Sequence, residues 1–123
     1  MNLTLVFRIT AVIFLINAVG IMFMSSTFFG MAGLTMSPSL VTLGQFLGIT
    51  TIFLALLAWR TPDIAGSALS SFGKLWSNGM VLWFLIVGYH IITGQAGGAT
   101  AYLNIALFVI FAVLFFMYSR KES

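Results

Sequence analysis

Between Arg8 and Arg60 the chain reads ITAVIFLINAVGIMFMSSTFFGMAGLTMSPSLVTLGQFLGITTIFLALLAW, residues 9–59, without one Asp, Glu, Lys or Arg. A helix needs about 20 apolar residues to cross a bilayer. This run of 51 residues is too long for one crossing and suits two. It is also broken where a hairpin would turn, at Ser25-Ser26-Thr27 and again at Thr35-Met36-Ser37-Pro38-Ser39. Working outward, a second charge-free run of 45 residues separates Lys74 from Arg120, broken at Gly94-Gln95-Ala96-Gly97-Gly98. Two helical hairpins follow, with spans over residues 3–24, 38–59, 75–93 and 99–119. The expected fold is therefore all-α: an integral membrane four-helix bundle in one domain, residues 1–123.

Composition agrees. The chain is 61% hydrophobic and 6% charged, with a mean hydropathy of +1.15. Soluble domains carry roughly a quarter charged residues, so this chain cannot cover itself with a water-facing surface. It has no cysteine, which removes disulfides, thiolate metal sites and cysteine nucleophiles. Its five Lys and Arg are too few and too scattered for a nucleic-acid surface.

Those five residues set the orientation. Arg8, Arg60, Lys74, Arg120 and Lys121 all fall on one side of a four-span topology. The positive-inside rule places that side, with both termini, in the cytoplasm. Arg8 lies about a turn inside the first span, where its stem can snorkel to the headgroups; the other reading is a buried functional cation. Trp59, Trp76 and Tyr118 fall at the inner boundary, and Phe28, Phe29, Tyr89 and Tyr102 near the outer one, as aromatic belts do. The first span has no positive stretch before it and no small-residue cleavage pattern after it, so it is expected to be retained. Residues 25–37 carry too much apolar surface for a solvated loop and are expected in the interface, as a short helix or a re-entrant dip. In the middle connection, Ile64, Ala65, Ala68, Leu69 and Phe72 form one helical stripe after Thr61-Pro62. That predicts a short cytoplasmic helix on the membrane surface, with Asp63 in its first turn.

Polar residues inside membrane helices need a reason to be there. At 1.5 Å per residue, Asn17, Gln45, His90 and Asn104 all fall in the outer third of the membrane, one on each span, with Tyr102 nearby. They can serve as interhelical hydrogen-bonding groups, or line a pocket for a small polar head with an apolar tail, such as a lipid or quinone. His90 is the only histidine. It could be one axial ligand to haem or chlorophyll, but a single histidine is a weak basis for either, and a structural role is expected. Gly44 and Gly48 form a GxxxG that permits close helix approach, within the bundle or between copies. No span contains a carboxylate, which disfavours a proton-coupled transporter, and no catalytic set of side chains is present.

The order of elements resembles small bacterial four-helix membrane proteins of the DoxX-like and DUF4345-like kind. The resemblance runs through Gly33-Leu34-Thr35-Met36-Ser37-Pro38, Leu43-Gly44-Gln45-Phe46-Leu47-Gly48, Thr61-Pro62-Asp63 and a last hairpin around His90 and Gly94. Gln45 stands where such proteins often carry an arginine. The resemblance implies a bacterial inner (plasma) membrane and, through some DoxX-like members, a quinone-coupled assembly. The functional expectation is an accessory or structural subunit of a larger membrane complex, in contact with lipid and other subunits or with its own copies. The alternative is a lipid- or quinone-binding membrane subunit.

Overall fold

The computed structural model describes residues 1–122. Among them are five α-helices and no strand: α1 (Leu3–Phe23), α2 (Ser25–Gly30), α3 (Pro38–Ile64), α4 (Leu69–Ile92) and α5 (Ala99–Glu122). Four of them, α1, α3, α4 and α5, are long and apolar enough to cross a membrane. The N-termini of α1 and α3 are capped by side chains. Leu5 N–H donates to Asn2 Oδ1 at 2.9 Å, and Leu40 N–H to Ser37 Oγ at 3.1 Å, with Pro38 at the first helical position. Each cap satisfies a backbone donor that the helix leaves free. The interfacial segment after α1 forms the short helix α2, whose Phe28 ring lies against Gly20 and whose Phe29 ring lies against Gly44.

The middle connection differs from expectation. Thr61-Pro62 does not start a new surface helix: α3 continues through it to Ile64, a single 3-10 turn spans Gly66–Ala68, and α4 begins at Leu69. Gly66 is the physical reason. It has φ of +56° just past the Ala65 C-cap, the left-handed conformation that ends helices at glycine. Pro62 removes one hydrogen bond in the last turns of α3 only. The predicted stripe is thereby divided between the end of α3 and the start of α4. Asp63 consequently lies at the C-terminal end of a helix, where the dipole disfavours an anion. Its carboxylate is met by Arg8 from α1 at 2.8 Å and by Arg60 at 3.8 Å, and the Arg8 guanidinium lies 4.3 Å from the centre of the Trp59 ring. Arg8 thus ties α1 to the end of α3.

Two seams of small residues hold the hairpins. On α3, Gly44, Gly48, Ala55 and Ala58 are buried. A β-carbon at Gly48 would strike Met22, and one at Gly44 would lie 2.8 Å from the Phe29 ring. The GxxxG glycines therefore make room for side chains of this same chain. On α4, a β-carbon at Gly73 would strike Ser119. Ser77 Oγ donates to the Ala112 carbonyl at 2.8 Å and Ser70 Oγ to that of Ser119 at 3.1 Å, both across to α5. Such bonds contribute about 0.6 kcal/mol each in a bilayer. Between the hairpins the contact is aromatic. Phe7 of α1 sits 4.8 Å from Phe115 of α5 and 5.9 Å from Trp76 of α4, centre to centre. By contrast α3 and α4, though joined by a short turn, barely touch.

The charged side chains gather at one end of the bundle, the basic end. At the other, neutral end, two loops are joined. Gly97 N–H donates to the Ala32 carbonyl at 2.7 Å, and Thr100 N–H to that of Met31 at 3.3 Å. Gly98 has φ of +86°, and a β-carbon there would run into the Met31 carbonyl oxygen. Gly94 has φ of +79° but open space around it.

The two glycines should respond differently to Ala. Gly98→Ala should destabilise the protein by about 3 kcal/mol, from strain plus collision. Gly94→Ala should cost about 1 kcal/mol, from strain alone. Unfolding in detergent micelles measures both. At the basic end, a double-mutant cycle on Arg8→Ala and Asp63→Ala should give a coupling of about 1 kcal/mol, small because the pair is partly exposed. No coupling would mean that the ion pair does not bind α1 to α3.

Candidate functional site

The neutral half of the bundle encloses a cavity of about 200 Å³ to which all five helices contribute. Its position follows from the packing. The aromatic cluster of Phe7, Trp76 and Phe115 joins the hairpins nearer the basic end. Above it α1, α3, α4 and α5 enclose space that their side chains do not fill.

Helical phase decides which side chains reach it. On α1, Asn17 follows Phe14 and precedes Ile21 on the stripe that faces the cavity. On α5, Thr100, Asn104 and Phe108 repeat every four residues and all line it. On α3 the lining stripe is Leu47, Thr51 and Leu54. The wall at α4 is Trp83, whose indole stacks on Phe108 with ring centres 5.7 Å apart and planes 17° apart. The joined loops contribute Ala32, Leu34 and Ala96 at the neutral end. The lining contains no charged side chain.

Two amides are thus set in an apolar space. Asn104 Nδ2 donates to the Thr100 carbonyl at 2.9 Å. Its Oδ1 accepts nothing from the described residues. Asn17 is half-buried and makes no side-chain hydrogen bond among the described residues. The Thr51 hydroxyl is spent on the Leu47 carbonyl, 2.7 Å away. An amide without a partner in apolar surroundings is costly, so the free amide groups are places where a bound molecule would be welcome. They can donate to a carbonyl or ester oxygen and accept from a hydroxyl. They supply neither a nucleophile nor a general base.

Of the five residues singled out from the sequence, Asn17 and Asn104 share this cavity. Gln45, His90 and Tyr102 do not line it. Gln45 is exposed, two residues and so about 200° around the helix from Leu47. His90 is half-buried just beyond the cavity. Its carbonyl accepts from the N–H groups of Gln95 and Ala96, and its buried Nδ1 has no partner among the described residues. Tyr102 is exposed, with its hydroxyl beside Gly97 in the loop. Among the described residues no group of three or more His, Asp or Glu could hold a metal ion.

Sequence reasoning missed Trp83, Phe108, Thr51 and Thr100 as wall residues. The one signal was Trp83 itself, an indole deep in a span and away from either aromatic belt.

Comparison of the chain with protein-family models, characterised proteins and solved structures finds no match. The chain's own geometry therefore carries the functional reading.

Proposed function

We propose that this membrane protein binds an amphipathic molecule, of the lipid or quinone kind, with its small polar head between Asn17 and Asn104. The observation that carries this reading is a pair of amides with unused hydrogen-bonding groups in a cavity whose other polar side chains are only Thr51 and Thr100. The joined loops cover that cavity at the neutral end, and α3 and α4 leave a gap beside it. Such a molecule would arrive sideways from the bilayer, with its apolar body never leaving a lipid-like environment. Charged ligands find no counter-charge in the lining. Two amides hold and orient a head, so the role is binding rather than chemistry.

The asymmetry of charge supports an orientation with the basic end in the cytoplasm. The resemblance to DoxX-like and DUF4345-like proteins supports a bacterial inner membrane. It also supports a redox setting in which the head is a quinone and the chain serves as an accessory subunit of a larger assembly.

Purification in mild detergent followed by mass spectrometry of extracted small molecules tests the proposal. Wild-type protein should carry a lipid or quinone. Asn17→Leu and Asn104→Leu should each lower its retention about fivefold, the worth of one hydrogen bond. Larger subunits that travel with the chain would support the assembly role. Wild-type protein without a bound molecule, or a double variant that retains as much as wild type, overturns the reading.

A further inference from the structure

A second cavity, of about 230 Å³, lies next to the first on the side of the basic end. Phe14, Leu54 and Trp83 border both cavities and form a neck between them. The lower cavity is lined by α4 residues that include Phe72, Trp76 and Gly79, and by no amide, hydroxyl or charged side chain. Each cavity alone is smaller than the roughly 300 Å³ at which ligand pockets begin. Joined, they fall within that range. Both have α3 on one side and α4 on the other, the pair of neighbours that barely touch. Phe72, Leu75 and Trp83 along this cleft are all exposed.

Gly79 is the decisive residue. It stands in the interior of α4, where glycine weakens a helix relative to alanine. Gly44, Gly48 and Gly73 are explained by Phe29, Met22 and Ser119, which occupy the space a β-carbon would need. Gly79 has no such neighbour: a β-carbon there would meet nothing within 4 Å. Its φ is not positive, so no turn requires it. Among the described residues nothing fills this notch, and Gly79 lines the lower, apolar cavity.

We infer that the cleft between α3 and α4 is a track for one long apolar chain, its head at Asn17 and Asn104 and its tail past the Phe14–Leu54–Trp83 neck into the notch at Gly79. This rests on the binding reading above and adds the class of ligand. Along α4, Val87 beside the upper cavity and Phe72 beside the lower one are about 22 Å apart. The hydrocarbon core is about 30 Å thick, so each leaflet supplies about half of that. The tail must therefore extend beyond one leaflet's depth. Short-tailed amphiphiles end at the neck; long linear or isoprenoid tails fill the track.

Native mass spectrometry of the purified protein, with added hexanol or octadecanol, tests this. Both alcohols offer the amides the same hydroxyl and differ only in tail. Wild-type protein should retain octadecanol at least about tenfold more strongly than hexanol, from the packing contacts its added methylenes make along the track walls. Gly79→Phe should remove that preference by loss of the long chain, with hexanol retention unchanged within about twofold. Gly79→Ala, which leaves most of the notch open and favours the helix, controls for folding and should behave as wild type. Equal retention of the two alcohols by wild type, or an unchanged preference in Gly79→Phe, overturns the track. The binding reading would survive that result if Asn17→Leu still released the molecule co-purified from the membrane. A Gly79→Phe variant that loses a dimer or larger assembly seen for wild type would assign the notch to a protein neighbour and overturn the track.

Discussion

The architecture depends on how closely backbones can approach where no hydrophobic force draws helices together. Lipid tails are as apolar as leucine, so helices in a bilayer associate through packing and hydrogen bonds. Here the small residues are placed within the hairpins. Gly48, Ala55 and Ala58 bring α3 onto α1, Gly44 seats it on Phe29 of α2, and Gly73 and Ser77 bring α4 onto α5. Between the hairpins the chain uses large rings instead, Phe7, Phe14, Trp76 and Phe115. Rings fill the middle at their own level and separate the pairs. The space left toward the neutral end and the gap beside α3 and α4 follow from that division between small and large residues.

Polar groups obey the same solvent. Hydroxyls in the spans are turned back onto backbone carbonyls: Thr10 onto Val6, Thr50 onto Phe46, Thr51 onto Leu47 and Thr93 onto Tyr89. This satisfies them without a partner helix. Arg8, the charge nearest the interior, is held by Asp63 and by the face of Trp59. Against this background several groups have no partner among the described residues, buried His90 Nδ1 and Ser119 Oγ among them, but only Asn17 and Asn104 are amides that line a common cavity. That coincidence is what the proposed binding role rests on.

Much of this was legible in the sequence. Two long charge-free runs with breaks between them specify two hairpins, and Ser37-Pro38 marks the start of α3 to the residue. Depth in the membrane was legible too, since it depends only on 1.5 Å per residue, and it put Asn17 and Asn104 at the same end. Helical phase was not. An error of a residue or two in a span turns a side chain from core to lipid, as Gln45 shows. Thr61-Pro62 resembles a helix start as closely as it does a proline tolerated near a helix end, and only Gly66 with its positive φ distinguishes them. The pairing of Arg8 with Asp63 was hidden because it joins positions 55 residues apart. The Gly79 notch was hidden because a glycine that makes room for a neighbour and one that faces empty space are spelled alike.

Binding of an amphipathic molecule as proposed requires a cavity closed to water at the neutral end and open to lipid between α3 and α4. The chain has no native cysteine, so a single Thr51→Cys substitution can carry a spin label on the cavity wall. Collision rates with oxygen, which concentrates in lipid, and with a water-soluble nickel chelate then report the surroundings of that label in reconstituted vesicles. Fast relaxation by oxygen with almost none by the chelate is the predicted result. Strong relaxation by the chelate would mean that the cavity opens to water, which would contradict entry of the bound molecule from lipid.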